Sequence, residues 1–200
     1  MNRIGPSDLV EKETHIRYLI ITMLFIASCF SYGDRIALSV GGVLMQKAMA
    51  LSPAKMGLLF SGFGWAYVAG QLPSGGLLDR FGSKRVYGVS IVIWSLCALA
   101  IGFAGFAPAA WAFSIIFALR LLSGLAQSPV FPGNGRIVAA WFPTAERGRA
   151  SSIFNASQYF SLFAFGGLFG WLTERYGWQS CFWFMGCAGF VLAFAWWKTV

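Results

Sequence analysis

The sequence predicts an all-α membrane protein, a bundle of six transmembrane helices, on three observations. Of 200 residues, 58% are apolar and only 11% charged, against about 25% charged in an ordinary soluble domain. The mean hydropathy is +0.66. The chain also divides into six mostly apolar runs, at about 18–44, 56–78, 86–106, 109–130, 151–172 and 179–197. Each is close to the roughly 20 residues that a spanning helix needs. A polar segment, residues 1–17, precedes the bundle, which fills 18–198 and leaves no room for a soluble domain.

The first span runs from Tyr18 to Leu44 and carries Asp34-Arg35 in otherwise apolar surroundings. Leu51-Ser52-Pro53 opens the second, with Ser52 as N-cap and Pro53 at the first helical position. Within it, Gly62, Ala66 and Gly70 recur every fourth residue, as do Gly166 and Gly170 in the fifth span. That spacing lets helix backbones approach closely where lipid supplies no hydrophobic drive. Phe81-Gly82-Ser83 turns the chain into the third span, and the uncharged Gly105-Phe106-Ala107-Pro108 turns it into the fourth. Pro129, Pro132, Gly133 and Gly135 are expected to break the end of the fourth span into a loop that closes at Phe142-Pro143. Tyr176-Gly177-Trp178 is the turn before the sixth span.

The net charge is +8, but its distribution is topological and does not point to nucleic acid. Arg3, Lys12, Arg17, Arg80, Lys84, Arg85, Arg136, Arg147, Arg149 and Lys198 all fall at one end of the bundle. Lys47, Lys55 and Arg175 fall at the other. The positive-inside rule then places both termini in the cytoplasm. No small-residue cleavage site follows the first apolar run, so the first helix is expected to be retained. Cys29, Cys97, Cys181 and Cys187 lie within spans at no metal-ligand spacing and read as small packing residues. His15 lies outside the membrane. No phosphate-cradling glycine loop and no nucleophile–base pair is present, so neither ATP drive nor an enzyme is expected, and no cofactor or metal.

Ionisable residues inside a membrane are costly and mark functional sites by default. Arg120 lies nine residues from Trp111, roughly 14 Å at 1.5 Å per residue, near the middle of a core about 30 Å thick. Gln127 follows two turns later on nearly the same face, with Gly124 between them leaving room beside Arg120. Two arginines, Arg35 and Arg120, face one carboxylate, Asp34. A surplus cation fits a site for a small organic anion in a water-filled path. The alternative is an Arg120–Asp34 pair that only fixes helix packing. The first and fourth spans each open a triplet and each carry an arginine, a faint sign of a repeat.

Gly75-Gly76-Leu77-Leu78-Asp79-Arg80-Phe81-Gly82-Ser83-Lys84-Arg85 resembles the G-x-x-x-D-R-x-G-x-[RK]-[RK] loop of the major facilitator superfamily. Asp79, Arg80, Gly82, Lys84 and Arg85 then form a gating loop, or on a plainer reading a basic turn that fixes topology. Tyr32-Gly33-Asp34-Arg35, Phe60 to Tyr67 with Gln71 and Pro73, Phe131-Pro132-Gly133-Asn134 and Ala140-Trp141-Phe142-Pro143 narrow the likeness. They resemble the anion:cation symporters of that superfamily, above all its bacterial glucarate, galactarate and galactonate (hexuronate-type) transporters.

The resemblance implies the amino-terminal half of a twelve-span inner-membrane protein, built from inverted three-helix repeats. Its partners would be a sugar-acid anion, protons, membrane lipid and a second six-helix half. Asp34 would bind the coupling proton, and Arg35 and Arg120 the substrate anion. Tyr67 and Gln158 would add polar contacts. Relatives usually place a glutamate where this chain has Gln127, which motivates an uncoupled anion facilitator as the rival to a symporter. The stretch Ala164 to Gly170 holds no proline and so lacks the signature of drug/proton antiporters. The ending at Trp197-Lys198-Thr199-Val200, where a central loop is expected, motivates another rival: a truncated remnant or scaffold.

Overall fold

The computed structural model describes residues 6–199, with the side chains of residues 6–15, 109 and 110 left aside. Arg3 and the side chains of Lys12 and His15 therefore lie outside what is described. The described residues form seven helices: α1 (Pro6–Ala48), α2 (Pro53–Phe81), α3 (Ser83–Ala104), α4 (Ala109–Gln127), α5 (Val130–Trp141), α6 (Thr144–Tyr176) and α7 (Gln179–Thr199). By length and apolarity alone, four spans qualify to cross a membrane: α1, α3, α4 with α5 as one segment, and α7. The helices α2 and α6 match them in length but carry more polar residues and glycine, with Gln71, Asn155 and Gln158 exposed.

The ends of these helices follow from local chemistry. Ser52 caps α2, accepting from the Lys55 amide at 3.3 Å, and Pro53 occupies its first turn. Gly82 at φ +78° and Gly177 at φ +85° make the two tight turns, a backbone region that glycine enters without a Cβ penalty. Two expectations fail. The helix α1 begins at Pro6 instead of about Tyr18. Residues 130–141 form a helix, not a loop. Pro132 sits in the first turn of α5, where backbone N–H groups have no intrahelical partner to lose. At the α4–α5 junction Ser128 and Pro129 stay in the right-handed helical region. Pro129 cannot donate to the Leu125 carbonyl, and the Ser128 hydroxyl donates to it instead, at 2.8 Å.

The helix pairing repeats itself. Most contact lies between α1 and α6, α3 and α7, α2 and α4, and α3 and α4, with α1 on α7 next. Exchanging the triplet α1, α2, α3 for α4, α6, α7 maps these pairs onto one another, the packing signature of an internal three-helix repeat. The backbones of α1 and α4, the first helix of each triplet, do not pack closely and are bridged by long side chains instead.

Small residues play two different parts. Gly62, Ala66 and Gly70 are buried against α4 as the spacing predicts. Gly124 is likewise a contact residue, not a source of room beside Arg120. A Cβ there would collide with the Phe63 carbonyl and come within 3.0 Å of the Tyr67 amide nitrogen. Gly166 and Gly170, by contrast, face open space with no atom within 4 Å of a Cβ. Gly124→Ala is therefore expected to push α2 off α4 and destabilise the bundle by about 1–3 kcal/mol. Gly166→Ala should leave it unchanged or slightly stabilised through helix propensity. Thermal unfolding in detergent checks both, and a neutral Gly124→Ala would refute the close approach.

Candidate functional site

One turn of α1 and two turns of α4 place the central cluster. Ser31 and Asp34 share one face of α1 at a spacing of three residues, and Arg120, Ser123 and Gln127 share one face of α4. Arg120 Nη1 donates to Asp34 Oδ2 at 3.2 Å, and Gln127 Nε2 donates to the same oxygen at 3.2 Å. Ser31 Oγ in turn donates to Gln127 Oε1 at 2.8 Å. The Gln127 amide thus relays between a hydroxyl and the carboxylate, a role for which its spacing gave no cue beyond a shared face. Arg120 and Asp34 are 2% and 1% exposed. Asp34 Oδ1, Arg120 Nε and Ser123 Oγ are buried with no hydrogen-bond partner in the protein.

Arg35 points elsewhere. Its guanidinium lies over three aromatic rings, Tyr32 at 5.0 Å, Phe63 at 4.9 Å and Tyr67 at 4.8 Å, while its Nε has no hydrogen bond. Arg120 lies over the same Phe63 ring at 4.6 Å. Two cations therefore share one aromatic face system, each contact worth about 0.5–2 kcal/mol depending on desolvation. With Asp34 as the one carboxylate, the cluster keeps one surplus positive charge. Arg35 is half-buried and borders a small crevice of about 20 Å³, lined also by Ser28, Ser31, Tyr67, Asn134 and Asn155.

Of the residues expected at the site, Asp34, Arg35, Tyr67, Arg120 and Gln127 come together. Gln158 does not. It is exposed on α6, as is Asn155 one turn earlier, which borders the crevice. A second buried cluster closes the side toward the basic end. Asn134 on α5 donates to Ser28 Oγ at 2.9 Å and accepts from Tyr87 Oη at 2.9 Å. Tyr87 stacks on Trp196 with ring centroids 4.3 Å apart, and Trp196 Nε1 donates to the Lys84 carbonyl at 3.0 Å. This polar chain went unnoticed in sequence, although an asparagine within an apolar stretch, the fifth residue of α5, was its available signal.

The basic loop lies apart from the Asp34 cluster and meets the Asn134 chain only at the Lys84 carbonyl. Asp79 pairs with Arg136 of α5, at the surface, by a short charge-assisted contact. Its partner is thus inside this bundle, and it became legible only once residues 130–141 proved helical. Arg147 secures the end of α5, donating to the carbonyls of Phe142 at 3.0 Å and Ala139 at 2.8 Å.

Paired three-helix repeats, glycine-lined helices and a buried ionic cluster bridging α1 and α4 define one bundle of a helical membrane transporter fold. The chain belongs to the Major Facilitator Superfamily, whose family profile matches residues 24–200. It is 53% identical over 191 residues to the "Probable galactarate/D-glucarate transporter GudP" of Escherichia coli K12, covering 96% of this chain and 42% of the relative. It is 49% identical to the "Probable galactarate/D-glucarate transporter GarP" of the same organism, covering 96% of this chain and 44% of that one. The "D-galactonate transporter" of Escherichia coli O6:H1 is 35% identical, with 92% and 41% covered. The chain thus spans less than half the length of these curated relatives. A crystal structure of a bacterial homolog to the human lysosomal transporter Spinster, inward-facing and unoccupied, superposes with a TM-score of 0.78. It is 20% identical, with 92% of this chain and 43% of that chain covered, and shows the shared fold.

Proposed function

We propose that this chain is the first six-span unit of an inner-membrane sugar-acid transporter of the galactarate/D-glucarate type. Its termini face the cytoplasm, and it works with a second six-helix half. The observation that carries the reading is the pair of guanidiniums, Arg35 and Arg120, gathered on Phe63 against a single carboxylate. A sugar diacid is a dianion with a carboxylate at each end and hydroxyls between. Two arginines with flanking Tyr67, Asn155 and Ser31 match that pattern of charge and hydrogen bonding. The names of the relatives point to the same substrates. Exposed Leu72 on α2 and Phe163 on α6, 89% and 84% accessible, and the open glycines of both helices support a second bundle packing there. In such an assembly the Asp79–Arg136 pair and its basic loop act as a gate, and Asp34 carries the coupling proton.

Arg35→Gln tests the anion site with little risk to the fold, because no carboxylate depends on Arg35. Losing one charge-assisted contact, about 1.5–3 kcal/mol, should weaken galactarate binding by about tenfold or more while helical content stays the same. Unchanged binding by calorimetry would remove Arg35 from the site. The burial of Arg120 favours a second reading, in which Arg120–Asp34 is only a packing element; unchanged galactarate binding in an Arg120→Gln protein would establish it.

A further inference from the structure

Away from the ionic cluster, α2 and α3 meet at the Gly82 turn but pack little against each other. Between them lies a groove of about 500 Å³, floored by the last two turns of α4. Its walls are Leu77 and Phe81 of α2, Val89 and Ile93 of α3, and Leu122 and Leu125 of α4. Apart from the buried Ser90, the one polar side chain lining it is Arg85, at the end nearest the turn. From Arg85 to Ile93 the groove follows α3 for about 12 Å at 1.5 Å per residue. That is most of one leaflet of a hydrocarbon core about 30 Å thick.

Charge at the mouth is unbalanced. Among the described residues no ion pair engages Arg80, Lys84 or Arg85. The carboxylate of that loop, Asp79, is taken by Arg136. Arg80 lies only over the Phe81 ring, at 5.4 Å. One cation without an ion pair, Arg85, thus lines the apolar trench, and two more, Arg80 and Lys84, are exposed on the same turn.

We propose that this groove binds an anionic glycerophospholipid. One acyl chain lies along α3 against Leu122 and Leu125, and the headgroup phosphate sits on Arg85 with Lys84 and Arg80 beside it. Water would leave the apolar walls wet. The charge suits an anionic headgroup, since basic clusters next to a membrane helix attract such lipids. Which leaflet supplies it rests on the orientation proposed above; the site itself does not.

The test is lipid retention by native mass spectrometry, after the chain in detergent is equilibrated with equal amounts of phosphatidylglycerol and phosphatidylcholine. Phosphatidylglycerol should be retained about fivefold over phosphatidylcholine. Arg85→Gln should bring the two near parity, and Arg85→Lys should keep the preference. Val89→Trp, which fills the groove, should lower retention of both lipids while leaving galactarate binding unchanged. Parity in the parent protein, or a preference that survives Arg85→Gln, overturns the proposal. Glycerol 3-phosphate separates the sources: if it displaces the lipid at equal concentration, the site takes free phosphates and the acyl-chain assignment is wrong. Displacement by an added second six-helix half would make the groove a protein interface and overturn it as well. The lipid result reads the groove alone, so it stands or falls separately from the sugar-acid assignment.

Discussion

Arg120→Gln is expected to abolish galactarate binding and to destabilise the bundle by about 3–5 kcal/mol, because it leaves a buried carboxylate without its cation. Asp34 is 1% exposed and holds both its donors on one oxygen. Without Arg120, the Gln127 amide alone would face a full negative charge. The pair itself is weak evidence for stability, since replacing both partners by apolar groups of similar volume is often neutral or favourable. The double variant Arg120→Met/Asp34→Leu should therefore recover most of the lost stability and none of the binding. Thermal unfolding and calorimetry on the same preparations read the two quantities separately. Recovery of both stability and galactarate binding in the double variant would show that the pair has nothing to do with the anion.

That separation of roles was only partly legible in the sequence. Asp34, Arg35 and Arg120 stood out because charge inside an apolar run has few explanations. A spacing argument put Gln127 on the face of Arg120, and the structure joins both to Asp34 Oδ2. The resemblance carried Gln158 into the site; it and Asn155, one turn earlier, are both exposed on α6, and position along the helix does not tell that Asn155 is the one bordering the crevice. Residues 130–141 were misread because Pro132, Gly133 and Gly135 are breakers by type. A proline in the first turn of a helix breaks nothing, and Gly133 lies close to the Tyr87 ring, where an added Cβ would come within 3.3 Å. The missing helix concealed the Asp79–Arg136 pair and the Ser28–Asn134–Tyr87 chain with it. Gly62 and Gly70 contact α4, whereas Gly166 and Gly170 contact nothing. Equal spacing in sequence thus marks equal capacity for close approach, and only the fold decides whether a neighbour is there.

Asp34→Asn is expected to abolish accumulation driven by a pH gradient while sparing substrate exchange. The carboxylate binds Arg120 and Gln127 through Oδ2, and Oδ1 has no partner in the protein. A proton can therefore add at Oδ1 without first displacing either donor. On the coupling proposed above, neutralising the group would weaken its hold on Arg120 and free the guanidinium for a substrate carboxylate. Acid on the loading side would then favour uptake, and release of the proton on the other side would restore the pair and expel the anion. An asparagine keeps the shape but stays neutral at every pH. It mimics the loaded form permanently, which leaves exchange possible and removes the link to the proton. Gln127 cannot titrate, so Asp34 has no second carboxylate beside it in the cluster. Gln127→Glu would place two acids against one arginine. In a reconstructed twelve-helix form it should steepen the dependence of uptake on an imposed pH gradient, because like charges at short range cannot both ionise freely. Uptake of labelled galactarate into proteoliposomes, with only a pH gradient imposed, decides the matter. If Asp34→Asn still concentrates substrate there, the coupling proton binds elsewhere, and Asp34 serves only to hold Arg120 in place.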